Sequence, residues 1–107
     1  MIFEWFSTKE VDALADRLAL DLIKRVPPAS LGAGGKKAES QQGRSREALL
    51  RQVREFAGAH RLNIFKKARL ANRFKWSLIE AGYPREFVDS MAFELAAVMA
   101  STQKNRQ

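Results

Sequence analysis

Cysteine is missing from this chain, and histidine occurs once, at position 60. Without thiols there is no disulfide framework, no thiolate nucleophile and no thiolate-held metal. A single histidine with no HExxH or ExxH spacing does not make a metal site, so His60 reads as a capping or boundary residue. GxSxG and Walker motifs are lacking, as is any acid pair in an evident pocket; catalysis, a cofactor and a metal are therefore not expected. No stretch approaches the ~20 apolar residues that span a bilayer. The apolar opening Met1-Ile2-Phe3-Glu4-Trp5-Phe6 has neither the basic leader nor the long apolar run of a signal peptide. The expectation is a soluble cytoplasmic protein.

Sustained period-two alternation and solenoid-like repeats are also absent, which leaves an all-α fold. The 107 residues, 46% hydrophobic and 29% charged, suffice for one small domain of about four helices.

A capping box (Ser7 with Glu10) and a hydrophobic staple (Phe6 with Val11) predict a first helix starting at Ser7. Val11, Leu14, Ala15, Leu18, Leu22 and Val26 recur on one face, and Pro27-Pro28 ends the helix. Residues 27–43 hold two of three prolines and four of six glycines with little to bury, so they read as a flexible linker. The stretch Gly32-Ala33-Gly34-Gly35-Lys36-Lys37 within it lacks the preceding strand and the following Ser or Thr of a phosphate loop.

Leu49, Val53, Phe56, Ala57 and His60 mark a second helix over about 45–60. Asn63 is the expected cap of a third helix, over about 64–81, that ends at Gly82. That third helix is apolar over more than half its circumference and is expected to be the most central, with Trp76 in the core. Pro84 suits the first turn of a fourth helix running to about Ser101, with Phe87, Val88, Met91, Leu95, Val98 and Met99 as its stripe.

The formal charge is +7, which favours an anionic partner. Residues 44–76 carry ten basic and two acidic side chains, while the flanking segments are close to balanced. Lys66, Arg69 and Arg73 fall on one stripe of the third helix, and Arg51 and Arg54 face outward on the second. These five are the candidate nucleic-acid-binding residues, expected to contact the phosphate backbone of DNA or RNA without strong sequence specificity. Helix-turn-helix reading of bases is not expected: Arg54 stands where that motif needs a small residue, and Lys67 where it needs a buried one. Lys67 and Lys75 are expected either to snorkel, the default, or to find an acidic partner. Asp12 and Asp16 read as solvated charges beside Lys9.

The alternative is a protein-interaction adaptor or homodimeric module. Leu20 and Phe93 lie opposite the buried stripes of their helices, and with Trp5 they are the candidate interface anchors. Peripheral membrane contact through the aromatic N-terminus is a weaker option.

Overall fold

A computed structural model describes the backbone of residues 2–32, 35–59 and 64–105, and the side chains of 9–31, 35–37, 39–59 and 64–101. Four helices account for most of it: α1 (Ile2–Arg25), α2 (Lys36–Ala59), α3 (Ile64–Ala81) and α4 (Arg85–Asn105). No strand occurs among the described residues.

The helix α1 begins five residues before the expected cap. Ser7 is thus an interior residue, because nothing ahead of it, neither proline nor glycine, interrupts the backbone ladder. At the other end Val26 N–H donates to Leu22 C=O at 2.7 Å before Pro27-Pro28 forbids a further turn. A 3₁₀ turn follows at Pro28–Gly32, closed by Ser30, whose N–H and Oγ–H both reach Pro27 C=O.

The flexible linker expected over 27–43 is corrected here, since α2 starts at Lys36. Residues 36–43 (KKAESQQG) contain no proline and are mostly good helix formers, which outweighs the ~1 kcal/mol cost of Gly43. Gly35, at φ +93°, makes the turn, and its carbonyl accepts the Glu39 N–H that opens the helix. His60 and the Asn63 cap lie outside the described residues, as do Ala33 and Gly34 of the glycine-rich stretch.

The α3–α4 corner follows the sequence closely. Gly82 adopts φ +103°. Its N–H bonds to Ile79 C=O and the Tyr83 N–H to Leu78 C=O, the paired closure of a Schellman motif. Pro84 stands one residue ahead of its expected place, because its carbonyl already accepts from Val88 N–H.

Each of α1 and α4 packs against both α2 and α3, so the helices form a ring in the order α1, α3, α4, α2. The pairs Asp12–Arg69 and Asp16–Arg73 advance by four residues on both chains, hence α1 and α3 run parallel. The core is the expected α1 stripe together with Leu49, Val53 and Ala57 of α2 and Val88, Met91, Leu95 and Met99 of α4. From α3 one fully buried seam enters, Leu70, Phe74 and Leu78, with Lys66 at its head, flanked by the half-buried Ala71, Ile79 and Ala81. The expected wide burial of the third helix is therefore corrected, although α3 packs against both α1 and α4 as a central element would: the side of α3 opposite that seam stays in solvent. Tyr83 joins the core and donates its hydroxyl to Val26 C=O, with Leu22 C=O 3.3 Å away. One buried phenol thereby closes the end of α1 and stacks on Phe87 at 5.0 Å.

Candidate functional site

Asp12 and Asp16 stand one turn apart on α1, and Arg69 and Arg73 one turn apart on α3. Arg69 grips Asp12 side-on, Nε–Oδ1 2.8 Å and Nη2–Oδ2 2.9 Å. Arg73 grips Asp16 the same way at 2.9 and 3.0 Å, and its Nη1 lies 3.8 Å from Asp12. The paired fork geometry matches the axial register in which the two helices lie. The Arg69 hydrogen bond holds the Asp12 carboxyl below its ordinary value of 3.8. Each arginine is raised by the hydrogen bond it donates to its aspartate.

This ladder corrects the electrostatic expectation. Arg69 and Arg73 do face outward, but their guanidinium groups are occupied by carboxylates of the same chain. Lys66 is turned inward, only 8% exposed, and is already engaged in a polar or electrostatic contact. Its position heads the buried Leu70–Phe74–Leu78 seam, where the lysine stem packs as a hydrocarbon. Lys75 takes the second of its two expected routes, an acidic partner, in Asp89 of α4 at 3.6 Å. Asp12 and Asp16, taken from the sequence as solvated, are the residues that reasoning missed. The available signal was the matched i, i+4 spacing of two acids on one helix and two arginines on another.

Arg51 and Arg54 are exposed on α2, as is Arg44. None of the three forms an ion pair with a described residue. They sit across the ring from the ladder, so the five cations taken together from the sequence do not form one surface.

Beside its polar groups α3 also turns large apolar side chains outward. Ile64, Phe65 and Trp76 are 84%, 66% and 54% exposed; Trp76 is thus not the core residue expected. Phe65, Asn72 and Trp76 stack three turns along one crest, since seven and eleven residues return a helix to nearly the same side. A depression lies on each flank of that crest. On the α1 side the ladder and Trp76 line one. On the α4 side a shallow groove of about 460 Å³ is floored by Ala68, Ala71 and Ala92, with Phe65 at its lip. Arg69 and Asn72 border both, so the crest and the two grooves are one continuous face. Phe93, next to Ala92, is 74% exposed, and Leu20 on the outer side of α1 is 64% exposed. Trp5 belongs to α1, but its side chain lies outside the described residues.

Among the described residues no group of three or more His, Asp or Glu side chains is placed to hold a metal, and no helix is long and apolar enough to cross a membrane. No known protein family, curated protein or solved structure matches the chain.

Proposed function

We propose that this chain is a non-catalytic interaction module that docks a protein through the crest of α3 and the adjoining α3/α4 groove. The observation that supports this reading is the exposure of Phe65, Trp76 and Phe93 in a folded chain whose neighbouring cations are internally paired. Several large apolar side chains grouped on one face, rimmed by charge, are the composition of an interface rather than of ordinary surface. Tryptophan beside arginine is the pairing from which binding hot spots are commonly built.

The test places a photoreactive phenylalanine analogue at position 72 on the crest, or at position 51 on α2, and irradiates the expressing cells. Protein adducts from position 72 that disappear on Phe65→Ser bear the reading out. Absence of any protein adduct from position 72 overturns it.

A second reading keeps the polyanion partner but moves it to α2, supported by Arg44, Arg51 and Arg54, which are exposed and form no ion pair with a described residue. Their binding to a phosphate backbone would fall steeply with salt, and it predicts nucleic-acid adducts from position 51. Lys66, Arg69 and Arg73 drop out of that reading.

A further inference from the structure

We infer that the partner docked by the α3 face is a second copy of this chain, related by a two-fold axis. The inference rests on the docking reading above and adds the identity of the occupant.

Three observations point to a copy rather than to a foreign chain. A two-fold interface needs one patch that supplies both projection and recess. This face has both: Phe65 and Phe93 stand proud, and beside them runs the alanine-floored groove over Ala68, Ala71 and Ala92. Small residues there allow a helix crest to approach closely.

Charge also selects this face. A chain of formal charge +7 repels its own copy over most approaches. On this face, however, Arg69, Arg73 and Lys75 are paired with Asp12, Asp16 and Asp89, and Glu80 adds a further acid. The cationic side of α2 offers no such neutrality.

Area is the third consideration. Ile64, Phe65, Trp76 and Phe93 leave roughly 400–500 Å² of apolar surface in water, over half of the ~800 Å² per partner of a stable interface. The exposed Ala96, Ala97 and Ala100 continue it along α4.

The experiment is sedimentation and light scattering of the full chain from about 1 μM to 1 mM, with helicity checked by circular dichroism. The expected result is a dimer that persists at about 0.5 M salt and whose dissociation constant rises ~10-fold or more in Ala68→Arg, which fills the groove from an exposed helical position. Should that variant unfold, Phe93→Ser decides the matter. Arg51→Glu leaves the dimer unchanged. A dimer indifferent to both Ala68→Arg and Phe93→Ser, or one dissolved by salt, overturns the inference. So does a monomer throughout; if position 72 still yields adducts with another protein, only the second copy is refuted, whereas a monomer without protein adducts refutes the docking reading as well.

Discussion

At the scale of single residues, the groups that repay attention are those whose chemistry changed on folding. Asp12 is depressed below 3.8, first by the Arg69 hydrogen bond. A carboxylate whose folded value is lowered contributes stability that is present above its unfolded value and lost as pH falls through the folded one. The stability that Asp12 contributes is therefore expected to fall away below about pH 4. Asp12→Asn should lower the Tm near neutral pH and flatten that acid limb, read by thermal melts across pH. Tyr83 works in the opposite direction: burial pushes its phenol from 10.0 to about 12. Its contribution is complete below pH 10 and lost as pH rises towards 12. Tyr83→Phe removes the bond to Val26 C=O and should cost about 1 kcal/mol while abolishing this alkaline limb.

For whole elements, backbone and packing decide. Two glycines separate the effects cleanly. Gly43 lies inside α2 without a positive φ, and a methyl group there would meet nothing within 4 Å. Gly43→Ala should stabilise by about 0.5–1 kcal/mol. Gly82 has equal room but sits at φ +103°, so Gly82→Ala should destabilise by about 1 kcal/mol or more. Chemical denaturation of both variants measures the contrast. Helix α2 also shows why the linker expectation failed: an absence of apolar residues removes a reason to be buried, but not the capacity of Lys, Ala, Glu and Gln to be helical. Among the described positions of the first three turns only Gln42, Gly43 and Ser45 turn inward, too little to register as a periodic stripe.

Taken as a whole, a molecule of this size carries a small stability reserve, typically ~5–15 kcal/mol, and concentrates it in one core. Phe74 lies in that core with no exposure, and Phe74→Ala should cost about 3–5 kcal/mol, a loss measurable as a large shift in denaturant midpoint with unchanged slope. By itself the sequence determined the helical class, the stripes of α1, α2 and α4, and the Gly82 corner, because each rests on contacts or dihedral preferences within a few residues. It also located the exposed Leu20 and Phe93, since a residue opposite a buried stripe has nowhere else to go. Which side of α3 is covered was decided only by the tertiary structure. Its apolar arc is wider than the seam that two neighbours conceal, and nothing local says which part stays wet. The partners of Arg69 and Arg73 were settled at the same level, because an ion pair between residues 57 apart exists only once two helices lie parallel and in register.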